Sequence, residues 1–97
     1  MVRNVVMIRF KPGTSEAQID ALRVALEAID FPDRTNLLIG RDAGLRAGNM
    51  DFVALADFPD EDSYRRFDAH EEHNRVRREL IAPIAESVER CQYLYGS

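Results

Sequence analysis

Two stretches of this chain, VRNVVMIRF at residues 2–10 and MDFVALADF at residues 50–58, carry apolar side chains on both of their alternating faces. Val, Ile and Phe at this density favour extended backbone. In the first stretch Asn4, Val6, Ile8 and Phe10 point one way, and Val5, Met7 and Arg9 the other. In the second, Met50, Phe52, Ala54, Ala56 and Phe58 oppose Asp51, Val53, Leu55 and Asp57. A strand wetted on one side alternates apolar with polar more cleanly than this. Any sheet built on these two strands therefore needs a cover on each face.

The rest of the chain supplies helices for one face. Ser15 has the form of an N-cap, with Gln18 completing a capping box. Ile19, Leu22, Leu26 and Ile29 follow at helical spacing, and Phe31-Pro32-Asp33 ends the helix. Asn36 to Arg41 reads as a second strand, and Ala43 to Asn49, with two glycines, as a mobile connection. Pro59-Asp60-Glu61-Asp62 starts a short helix that carries Tyr64 and Phe67 on one side. After His70 a second helical stretch places Val76, Leu80, Ile81, Ile84 and Ala85 inward, loosened by Pro83. Val88 to Tyr95 is the last strand, with Cys91, Tyr93 and Tyr95 opposing Arg90, Gln92 and Leu94. The order β-α-β-β-α-β predicts an α+β, ferredoxin-like protomer: a four-stranded antiparallel sheet with helices on one face. A single domain over residues 1–97 is expected. On the uncovered face Val5, Met7, Val53 and Leu55 form an apolar patch rimmed by Arg9, Asp51 and Asp57. Such a patch predicts a partner, and the simplest is a second copy.

Several functions are disfavoured. The net charge of −4 argues against nucleic acid or an anionic membrane as partner. One cysteine, Cys91, allows no internal disulfide, and its place in a strand predicts a small buried hydrophobe. Residues 1–10 are too polar for a signal peptide, and no apolar run approaches the ~18 residues of a membrane span. A cytoplasmic protein is expected. There is no glycine-rich phosphate loop and no serine nucleophile elbow.

Chemistry concentrates in AHEEHN, residues 69–74, which holds both histidines. The zinc-protease pattern needs a second His four residues after the first, and that position is Asn74. With no Cys cluster to complete a site, neither metal nor cofactor is expected. His73 precedes Val76, Leu80 and Ile84 at spacings that turn it inward, as a buried hydrogen-bonded group or as a base. His70 is expected to close the preceding helix. Asn4, mid-strand on the helix-facing side, is expected to pair with His73. The basic run Arg75 to Arg78 reads as a solvated helix face that would otherwise attract an anion such as a carboxylate.

VRNVVMIRFKPGTSEAQIDAL at the start, GRD at 40–42, DFVALADF at 51–58 and AHEEH at 69–73 together resemble the stress-responsive dimeric α/β-barrel (Dabb) family. The resemblance covers nearly the whole chain. It implies a homodimer whose two sheets close into a barrel, and a pocket between sheet and helices. In the cyclases of that family a pocket His and Tyr abstract a proton and hold the substrate. Carried over, the catalytic His falls on His73 and the Tyr on Phe67, which has no hydroxyl. Two further pocket His positions fall on Asn4 and Phe52, a pocket Tyr falls on Leu26, and Glu71 stands where a Pro is usual. The expected site is Asn4, Leu26, Phe52, Tyr64, Phe67 and His73, with His73 as the catalytic candidate. The leading reading is a stress-related homodimer that binds a small apolar or aromatic molecule. The alternatives are a cofactor-free cyclase, isomerase or monooxygenase-like enzyme using His73 as base, and an assembly module with no ligand.

Overall fold

β-branched and aromatic residues hold Val2–Phe10 extended as strand β1. Ser15 then turns the chain. Its hydroxyl accepts from the Gln18 N–H at 3.1 Å, and the Gln18 side chain accepts from the Ser15 N–H at 2.9 Å. This reciprocal cap starts helix α1, Glu16–Ala28, which buries Ile19, Leu22 and Leu26. Strand β2 is Asn36–Arg41, strand β3 Phe52–Phe58, helix α2 Glu61–Asp68 and helix α3 Glu71–Val76. Helix α3 runs into a π turn, Arg77–Ile81, before strand β4, Ala85–Leu94. The computed structural model describes residues 1–96.

The four strands form one antiparallel sheet in the order β2-β3-β1-β4. This is the expected ferredoxin-like arrangement. The register sets Val6 opposite Ala54 on one side and opposite Arg90 on the other. The helices cover the face of Val2, Asn4, Ile8, Phe52, Ala56 and Phe58. There the core closes, with Ile8, Leu22, Phe52, Phe58 and Val76 almost wholly buried. Phe31, Phe58 and Phe67 meet edge-on or tilted, with ring centroids 5.0–6.2 Å apart.

Two strand boundaries differ from expectation. β3 starts at Phe52, because Asp51 turns its carboxylate to the Phe10 N–H at 2.8 Å, where β1 shifts register. β4 starts at Ala85, because Phe10 pairs with Ala85 beyond that shift. The Ala43–Asn49 connection has its own ties. Asp42 accepts from the Gly44 N–H and from the Asn49 amide, and Arg9 donates to the Gly48 carbonyl.

The second face of the sheet has no cover within the chain. Met7 and Leu38 are exposed there, beside half-buried Val5, Val53 and Leu55. Cys91 lies opposite Val5 on this face and is exposed, not buried as its sequence context suggested. Local sequence marks a residue as apolar; it does not say which face has a lid. At one end Arg3 grips Asp57 with two nitrogens, at 2.8 and 3.0 Å, and donates to the Tyr93 hydroxyl.

Candidate functional site

The junction of α2 and α3 is built from backbone hydrogen bonds. Ala69 caps α2, its N–H reaching the Arg65 carbonyl at 3.1 Å. His70 is therefore not the end of α2. It is the first residue outside α3, makes no side-chain cap and lays its ring edge-on against Phe31 at 5.4 Å. With the chain bent at this point, the first inward position of α3 is His73.

His73 is buried, 8% exposed. Its Nδ1 lies 3.0 Å from the Phe67 carbonyl, and its ring stacks on Phe67 at 4.1 Å. A carbonyl only accepts, so Nδ1 carries the proton and Nε2 is left as a bare acceptor. Among the described residues every fully buried side-chain nitrogen or oxygen has a partner. Nε2 makes no hydrogen bond and so borders accessible space. Burial pushes the imidazole down to about 4, with the Arg77 charge acting in the same direction and the Phe67 carbonyl and Asp68 opposing it.

His73 lines a cavity of about 270 Å³ between the sheet and the helices. All six residues singled out in the sequence line it: Asn4, Leu26, Phe52, Tyr64, Phe67 and His73. Val6, Leu37 and Ala54 add apolar wall from the strands, and Ile81 and Ala82 from the π turn. Burial pushes the Tyr64 phenol up, which keeps it protonated.

The expected Asn4–His73 pair is not formed. The Asn4 carbonyl oxygen accepts from the Gln92 amide at 2.7 Å. Gln92 stands directly opposite Asn4 in the β1–β4 register. A cross-strand neighbour is held there by the backbone, whereas a partner on a helix must reach across the cavity.

Sequence reasoning missed three arginines that line the cavity: Arg34, Arg77 and Arg90. Arg34 precedes β2 and bends back to α1, donating to the Leu26 and Ile29 carbonyls at 3.0 and 3.2 Å. These carbonyls lie at the end of the helix, where no further turn supplies partners. The Arg34 guanidinium sits 5.9 Å over the Phe67 ring. Arg77 was expected on a solvated face, and it is the inward member of that run. It pairs with Asp68 at 2.6 Å, while Arg75 and Arg78 pair on the surface with Glu72, Glu79 and Glu71. Arg90 faces the cavity because it stands opposite Val6. Strand alternation places it on that face once the register is known; no local signal marks Arg34. Among the described residues no three His, Cys, Asp or Glu gather in a group able to hold a metal.

The model of the stress responsive A/B barrel domain family, Dabb, matches residues 2–93. The chain is a member of the Dabb family. Solved structures agree with this. A dimeric ferredoxin-like protein of unknown function from Thermobifida fusca is 30% identical to this Dabb chain, with a TM-score of 0.86 over 97% of this chain and 90% of that one. A Dabb protein with a ferredoxin-like fold from Mesorhizobium loti is 20% identical, with a TM-score of 0.80 over 99% and 97%. The hydroxynitrile lyase of Passiflora edulis is 22% identical, with a TM-score of 0.84 over 98% and 93%. The last two likenesses are of fold. No curated protein matches the Dabb chain in sequence.

Proposed function

We propose that this Dabb chain works as a homodimer and holds one small, mostly apolar organic molecule in the cavity between its sheet and its helices. The observation that carries the ligand reading is the cavity beside His73. A space of about 270 Å³ is left open in a core otherwise closed by Ile8, Phe52 and Phe67. Protein interiors rarely leave such volume unfilled. The walls are aliphatic and aromatic, with a few polar atoms converging on them, as in small-molecule sites. The volume suits one substituted ring or a short chain. The dimer reading rests on the open apolar face of Val5, Met7, Val53 and Leu55, and on the solved relatives described as dimeric.

The neutral probe indole tests the ligand reading. Titrated into the isotope-labelled protein, it is expected to shift the backbone amide signals of Val6, Ala54 and Phe67 before those of surface residues. If the cavity amides stay still at millimolar indole, the reading fails.

A second reading, an enzyme without a cofactor, is favoured by one observation: His73 lines the cavity and its Nε2 makes no hydrogen bond. The same fold carries a hydroxynitrile lyase, so it accommodates chemistry as well as binding. With its imidazole down at about 4, His73 is already unprotonated at neutral pH. A rate that depends on it would be flat above about pH 5. His73→Ala would abolish turnover and leave the dimer intact.

A further inference from the structure

The cavity wall carries charge of one sign only. Arg34, Arg77 and Arg90 line it, and no Asp or Glu does. This occurs in a chain whose net charge is −4. The three arginines differ in how they are neutralised. Arg77 has Asp68 at 2.6 Å. Arg34 and Arg90 have no carboxylate partner among the described residues, although nine ion pairs, Arg77–Asp68 included, form there. Arg90 is exposed, and water suffices for it. Arg34 is partly buried among Leu26, Leu37 and Phe67, and its partners are two neutral carbonyls.

A guanidinium has five N–H donors. Arg34 uses two of them on the end of α1, and the other three make no hydrogen bond among the described residues. Taking a cation out of water without a counter-charge is unfavourable. Consistently, burial lowers the Arg34 pKa and no acidic neighbour counters it. A ligand carboxylate would supply the missing charge, in the planar two-point geometry that a guanidinium matches. His73 does not compete, because it is neutral and already donates to Phe67.

We propose that the molecule held in this cavity is an organic monocarboxylate, with its carboxylate on Arg34 and its apolar body against Val6, Leu37, Ala54 and Phe67. This rests on the cavity being a ligand site, as proposed above. Arg90 and Arg77 add to the positive field but are not the anchor. A multiply charged phosphate ester fits less well, since one neutralised and one solvated arginine offer it no second desolvated cation.

The test uses two probes of equal size, 4-ethylbenzoate and 4-ethylbenzamide, on the full chain followed by amide NMR. Both are expected to shift the Val6, Ala54 and Phe67 signals, with the carboxylate binding at least about tenfold more tightly, the lower end for hydrogen bonds to a charged group. Arg34→Gln should erase that preference, and Arg90→Gln should reduce it by less. Arg34→Lys keeps the charge without the fork and reports should Arg34→Gln fail to fold; a several-fold loss of preference is expected. Equal binding of the two probes, or an undiminished preference in the Arg34 variant that folds, overturns the carboxylate assignment and leaves the ligand site standing. If neither probe moves the cavity signals, both proposals fall.

Discussion

At the scale of single residues, His73 shows how environment fixes chemistry. An imidazole free in water titrates near 6.5; in this core it is down at about 4, because burial penalises its charged form. The sign of the consequence follows. Between those two values the unfolded chain takes up a proton that the folded chain refuses, so stability present at neutral pH is lost as pH falls toward 4. The variant His73→Asn keeps a donor for the Phe67 carbonyl and removes the titration. In urea unfolding, the wild type should lose more stability than His73→Asn between about pH 7 and about pH 4.5. Equal losses in the two proteins would show that the imidazole is not depressed. The inward turn of His73 was legible in the sequence, since its spacing to Val76, Leu80 and Ile84 is that of one helix face. The role of Arg34 was not. It depends on two carbonyls at the far end of another element, and nothing in its neighbours Asp33 and Thr35 signals that contact.

At the scale of elements, α1 is tied at both ends with the help of residues that flank it, Ser15 and Arg34. Ser15 and Gln18 close its start, and Arg34 takes the carbonyls at its finish. Ser15→Ala should lower stability by about 1 kcal/mol in chemical denaturation, the usual worth of an N-cap, with no change at the cavity amides. A loss below a few tenths of a kcal/mol would mean that Arg34 alone holds the helix. The capping box was readable because its partners are three residues apart. β1 and β2 were readable for a similar reason, being short runs bounded by turn residues. The ends of β3 and β4 were not, because they depend on where two distant segments fall into register at the shift beside Phe10. The loosening expected at Pro83 takes a definite form. A proline supplies no N–H, and just before it the helix widens to a π turn in which Ala82 donates to the Arg77 carbonyl at 2.9 Å. That turn brings Ile81 and Ala82 to the cavity.

At the scale of the whole molecule, the apolar pattern on both faces of β1 and β3 carried the most information. It foretold one face under helices and one face left open, and the structure has both. The proposed pairing of two open faces is tested by Leu55→Asp. That variant should sediment as a monomer, and its Cys91, shielded in a dimer, should react with iodoacetamide at least about tenfold faster than in the parent. A wild-type protein that sediments as a monomer would remove the basis for the pairing. The alternation of β1 and β3 has one more consequence. Asn4, Val6, Phe52, Ala54 and Ala56 line the cavity, and the residues between them, Val5, Val53 and Leu55, form the open face. The floor of the cavity and the open apolar face, the side proposed to meet a second copy, are thus two sides of a single thickness of backbone. By linkage, whatever factor a guest on one side changes self-association, self-association changes affinity for the guest by the same factor. In the proposed dimer, a binding constant therefore has meaning only alongside the protein concentration at which it was taken.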